Sequence, residues 1–267
     1  MHVLRSRPIL TFTVAVLLLC GLVFAAGLGR DTTPFALVLA IPIAAILAAG
    51  LTGAGGSIRG ILARTVRWRV PGRWYLLAIG IPLAGTLLID AAGIVTGQAT
   101  LDELVGAIEA SALVVPLVVF LPAMFEELAW RGFGVEVMTE RGHSFAVAAL
   151  GIGLVFAAVH VPLYLPGQLY EDLPLWPVVP ILLGYAVLLS WIYLGSGHSA
   201  LLAGITHTAL NGFVPLTHGL DDVWVWQARA VVFGLIGLVI LGAWLGRRGR
   251  RDTIAVWPRT ERDPELR

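Results

Sequence analysis

The chain has 267 residues, 58% of them hydrophobic and only 13% charged, whereas a soluble domain of this length runs at about 45–50% apolar and about 25% charged. A formal net charge of +1 gives no support to a nucleic-acid partner. The lone Cys20 excludes an internal disulfide framework or a thiolate metal cluster, and because all 18 basic side chains are arginine, chemistry that needs a lysine, such as a Ser-Lys dyad or a Schiff base, is excluded too.

Spanning a bilayer as helix takes about 20 mostly apolar residues. In chain order such runs lie near Pro8 to Gly27, Phe35 to Leu51, Trp74 to Val95, from Ser111 onward, Phe145 to Leu163, Leu175 to Leu194, Ser199 to Leu216 and Trp226 to Leu245. They predict an all-α polytopic membrane protein, a bundle of about eight transmembrane helices. Residues 1–246 read as one transmembrane domain, and 247–267 as a short polar tail. The first run is longer than a signal-peptide core of about 7–15 residues, so it reads as a span.

Between the second and third spans, Ser57 to Val70 sets Ile58, Ile61, Leu62 and Trp68 among arginines. Two readings stand: an amphipathic helix lying flat at the headgroups, or a solvated basic loop that only sets orientation.

Arginines collect on alternate connections: Arg5 and Arg7; Arg59, Arg64, Arg67, Arg69 and Arg73; Arg141; and Arg247, Arg248, Arg250 and Arg251. The positive-inside rule makes these the cytoplasmic ones, with both termini cytoplasmic in a cell-membrane protein. The opposite connections carry Asp102, Glu103, Glu171, Asp172, Asp221 and Asp222, with Arg30 and Arg229 as basic exceptions.

The informative residues are the polar ones inside the runs. On the fourth, the nine Leu, Val and Phe residues from Leu113 to Phe125 contribute roughly −0.3 to −0.6 kcal/mol each to insertion, while each of Glu126, Glu127 and Arg131 costs about +2.5 to +3.5 near the centre. Those three must therefore face a polar cavity, neighbouring helices or the headgroups. Glu127 and Arg131 are four apart and predict an ion pair on one face, which leaves Glu126, rotated by about 100°, as the free carboxylate. His160 lies on the fifth run, and His207 with Asn211 share one face of the seventh. An ionisable group at membrane depth marks a functional site by default.

Together these groups suit amide hydrolysis. Glu126 would take a proton from water, His160 would position that water, and His207 with Asn211 would stabilise the oxyanion. For Glu126 and His160 to share a depth, the fourth helix must continue through Arg131 to about Met138.

Glu126-Glu127-Leu128-Ala129-Trp130-Arg131 resembles the E-E-x-x-x-R motif of the CAAX-protease and bacteriocin-processing (CPBP, or Abi) intramembrane proteases. Phe156 to His160 resembles their F-x-x-x-H motif, and His207 to Asn211 their H-x-x-x-N motif. The resemblance covers roughly Leu113 to Leu216 and implies a catalytic core at about 111–217. It implies Glu126, Glu127, His160, His207 and Asn211 as catalytic residues, with Arg131 and Phe156 in support, acting on a peptide or membrane-protein substrate in the lipid bilayer. Glu126, His160 and His207 would also be the candidate ligands for zinc. Asn is a poor zinc ligand and the compact H-E-x-x-H spacing is missing, so the expectation is metal-free, with a divalent metal as the alternative. Two other functions compete: a proton-coupled transporter, since buried Glu and His also form relays, and a non-catalytic immunity or scaffold protein.

Overall fold

The computed structural model describes residues 6–55, 58–102, 111–217 and 220–249. Every regular element among them is helical. Several charges used above to set orientation, namely Arg5, Glu103, Arg250 and Arg251, lie outside the described residues, as does the expected polar tail beyond Gly249.

The helices are α1 (Pro8–Ala25), α2 (Thr33–Thr52), α3 (Ile58–Thr65), α4 (Gly72–Val95), α5 (Ser111–Ala129), α6 (Glu136–Glu140), α7 (Phe145–His160), α8 (Val178–Gly195), α9 (Ala200–Gly212) and α10 (Asp222–Gly249). All eight apolar runs are thus helices. Among the described residues six segments, those at α1, α2, α4, α7, α8 and α10, are long and apolar enough to cross a membrane, so the chain is a multi-pass membrane protein. The other two expected spans are the 19-residue α5 and α9, which has only 13 helical residues.

Within the segment Ser57 to Val70, of which Ser57 lies outside the described residues, Ile58–Thr65 is a helix. Its Ile61 is buried while Ile58 and Leu62 are exposed, as an amphipathic helix at a polar–apolar boundary requires.

Lipid tails are as apolar as Leu, so helix association in a membrane depends on close packing and small residues. Of the six candidate spans α8 is the most buried, at 72% against 22% to 44% for the other five. Gly184 brings it against α10, where a Cβ would meet the Phe233 carbonyl, and on α7 a Cβ at Gly153 would stand 2.7 Å from Ala186. The pair that matters for function is α5 and α9. They meet through Gly204, whose Cβ would run into the Met124 sulfur, and Gly212, whose Cβ would lie 2.9 Å from Pro116.

The fourth helix does continue past Arg131. Residues Trp130–Val135 form a π-helical segment that joins α5 to α6, and the backbone stays helical at both junctions. π-turns inside α-helices are uncommon and concentrate at functional sites.

Candidate active site

Glu127 and Arg131 are fully buried, and Arg131 Nη1 donates to Glu127 Oε1 at 2.8 Å. The predicted pair is therefore present across the start of the π segment. The same oxygen accepts a second hydrogen bond, from His207 Nδ1 on α9 at 2.9 Å. Glu127 Oε2 and Arg131 Nε and Nη2 are buried with no hydrogen-bond partner. A carboxylate oxygen has lone pairs enough for both donors, so one atom ties two helices together.

Glu126 stands apart from that pair. It is half-buried, and its one hydrogen bond is a long one from the Trp130 indole at 3.4 Å. Among the described residues it therefore forms no ion pair, as its helical phase predicts, though it is not wholly unpartnered.

His160 closes α7, where Pro162 two residues on cannot continue the α-helix and a 3-10 turn over Val161–Tyr164 takes over. Its Nδ1 donates to the Phe156 carbonyl at 2.8 Å. A carbonyl can only accept, so Nδ1 carries the hydrogen and Nε2 of the neutral ring keeps a lone pair. The ring of Phe156, one turn earlier on α7, packs against both His160 and His207, which brings the second and third motif segments together.

Phe156 is the packing centre of the group. Its ring meets His160 edge-on at 4.7 Å, Trp130 at 5.5 Å and His207 at 6.2 Å. The Arg131 guanidinium lies 5.7 Å from the ring centre, within reach of a cation–π interaction. Asn211, one turn beyond His207 on α9, is exposed and stands outside this bonded network.

Among the described residues no group of three or more His, Cys, Asp or Glu is arranged to hold an ion. His207 Nδ1 and His160 Nδ1 are bonded to Glu127 and Phe156, which leaves Nε2 of each ring as the nitrogen a metal would take, with Glu126 as the third candidate ligand.

Two further polar groups are prominent that the motifs do not include. Glu136 is buried and accepts from the Tyr193 hydroxyl at 2.8 Å and from His198 Nδ1 at 2.5 Å, with Arg64 Nη1 at 3.7 Å. Arg64 also donates to the Gly132 carbonyl, at 3.2 Å from Nε and 2.9 Å from Nη2, so α3 holds the residue next to Arg131. Arg229, read in the sequence only as an orientation exception, is buried inside the bundle. A signal existed for it: an arginine at the start of an apolar run, on the acidic side, against the charge pattern.

No curated protein matches the chain. Residues 108–213 match the family model described as type II CAAX prenyl endopeptidase Rce1-like, a stretch that holds every residue of the Glu127–His207 network and Asn211 as well. Over that stretch the chain is similar to the CAAX-protease (CPBP) family of intramembrane proteases.

Proposed function

We propose that this protein is an intramembrane endopeptidase that hydrolyses a peptide bond of a membrane-associated peptide or protein with a water activated by Glu126. The observation that supports the reading most is the division of labour between two adjacent carboxylates. Glu127 is occupied by Arg131 and His207, whereas Glu126 has no cationic partner within bonding range among the described residues.

In this reading Glu126 accepts one proton as the water oxygen attacks the substrate carbonyl. The lone pair on His160 Nε2 accepts the water's other hydrogen and so fixes its orientation. Charge then develops on the substrate oxygen, where His207 and Asn211 donate. Since His207 Nδ1 is bound to Glu127, donation must come from Nε2 and needs the imidazolium form. The protonated Glu126 finally gives its proton to the departing amine, and the tetrahedral centre collapses to a carboxylic acid and an amine. No step requires a metal.

The arginine-rich connections support a topology with both termini cytoplasmic in a cell membrane. The matching family model carries prenyl endopeptidase in its description, so a prenylated C-terminal peptide is the first substrate to try.

The test is cleavage by purified full-length protein in detergent or liposomes, with prenylated and unprenylated peptides. Glu126→Ala should lower the rate by about 10²–10⁴-fold, and His207→Ala by about 10²–10³-fold. Activity surviving both substitutions would end the proposal, and a biological effect that persisted in both would point to a binding or scaffold role.

A further inference from the structure

Arg229 on α10 is buried as completely as Arg131, at 2% exposure, yet it has no carboxylate. Its Nη2 donates to the Tyr185 hydroxyl and, at 2.7 Å, to the Leu210 carbonyl. The rings of Tyr185 and Phe233 lie 5.8 and 5.4 Å from the guanidinium carbon. Nε and Nη1 are buried with no acceptor, and no acidic side chain among the described residues forms an ion pair with it. A guanidinium stays protonated under all ordinary conditions. An uncompensated charge at this depth is strongly disfavoured unless something supplies the missing anion.

Its position relates it to the hydrolytic site. Leu210 directly precedes Asn211, so the bond to the Leu210 carbonyl sets the guanidinium beside the helix segment that carries His207 and Asn211. From the other side, Trp226, about one turn earlier on α10, donates its indole N–H to Tyr164 at 2.9 Å and packs against Tyr170 at 5.3 Å. Tyr164 lies about one turn past His160. Burial and the Glu126 charge push the Tyr170 phenol up to about 12 while Arg229 pulls it the other way, so both charges act on one hydroxyl in the connection after α7. Tyr164, Tyr170 and Trp226 thus form one aromatic cluster, one turn along the chain from His160 at one end and from Arg229 at the other.

We propose that Arg229 is an anion subsite of this centre that takes a carboxylate of the bound peptide on its Nε and Nη1 hydrogens, whether the peptide's C-terminus or an acidic side chain. The inference rests on the hydrolase reading above. The guanidinium selects and anchors substrate, and it takes no part in the water chemistry.

The experiment measures binding separately from turnover. Full-length Glu126→Gln protein is immobilised and offered a pool of short randomised peptides in three forms: a free acid lacking Asp and Glu, the same pool as C-terminal amides, and the amide pool with one Glu added. Enrichment is read by mass spectrometry, as a ratio within each protein so that loss of folded material cancels. The free acid or the Glu-bearing amide should be enriched about tenfold over the plain amide, a difference of about 1.4 kcal/mol, and the form that is enriched identifies the source of the carboxylate. Adding Arg229→Gln should bring the ratio to about one, and Arg229→Lys should keep part of it. Equal enrichment of all three forms, no binding of any, or a ratio unchanged in Arg229→Gln overturns the proposal. Cleavage of the same pool by the unaltered protein judges the hydrolase reading on its own.

Discussion

Glu127 Oε1 lies 2.9 Å from His207 Nδ1, a bond between residues 80 positions apart on helices α5 and α9. Because the same oxygen also holds Arg131 at 2.8 Å, one buried atom fixes the tautomer of an imidazole and neutralises a guanidinium.

That sharing separates stability from activity. Glu127→Ala leaves Arg131 buried without its counter-charge, which should cost about 3–5 kcal/mol and show as a large drop in thermal midpoint in detergent. Removing both charges with residues of similar volume, Glu127→Leu with Arg131→Met, should recover most of that loss, since replacing a whole buried pair is often neutral. Cleavage should stay lost in the double variant, because His207 would still lack its acceptor. Recovered cleavage would show that Glu127 serves only the ion pair.

The two halves of this arrangement were unequally legible in the sequence. The Glu127–Arg131 pair follows from helical periodicity alone, and the eight helices followed from hydropathy. The bond to His207 crosses the bundle, where local periodicity carries no information, so sequence reasoning gave His207 an oxyanion role without seeing what holds it. Glu136 and His198 were missed for a related reason: each sits at a helix end or connection, where a polar residue needs no explanation. Their partners, Tyr193 and Arg64, come from distant elements.

The Glu136 cluster should matter for stability. Tyr193 is fully buried, so Glu136→Ala strands its hydroxyl and also releases Arg64 and His198, with an expected loss of about 1–3 kcal/mol for the stranded group alone. Tyr193→Phe removes the donor as well as the demand and should cost less, about 0.5–1.5 kcal/mol. Thermal unfolding of the two variants checks the order, and a Tyr193→Phe loss equal to that of Glu136→Ala would contradict it.

The close approach of α5 to α9 sets up a graded test at glycines. An added methyl at Gly204 meets the sulfur of Met124, a flexible side chain, whereas one at Gly184 meets the backbone of Phe233. Overpacking typically costs about 1–3 kcal/mol. Gly204→Ala should fall in that range and be partly rescued by Met124→Ala, which clears the space. Gly184→Ala should cost more and have no single-residue rescue, because a backbone carbonyl cannot be trimmed. Cleavage should also fall in Gly204→Ala, since the methyl forces apart the helices that carry Glu127 and His207.

Chelation tests whether water activation rests on the protein's own groups. A zinc-dependent centre would lose activity on exhaustive dialysis against EDTA and regain it when zinc is returned, since metal sites of this kind empty reversibly. With Glu126 as the base, activity after dialysis should stay within about twofold of the untreated protein, far from the loss expected when a metal-bound hydroxide is removed. The measurement is made on protein purified without a histidine tag, so that no tag-bound metal masks the result. A parallel assay on Glu126→Ala separates the two mechanisms further: residual activity that rises on adding zinc would place the nucleophile on a metal and remove Glu126 from the role of base.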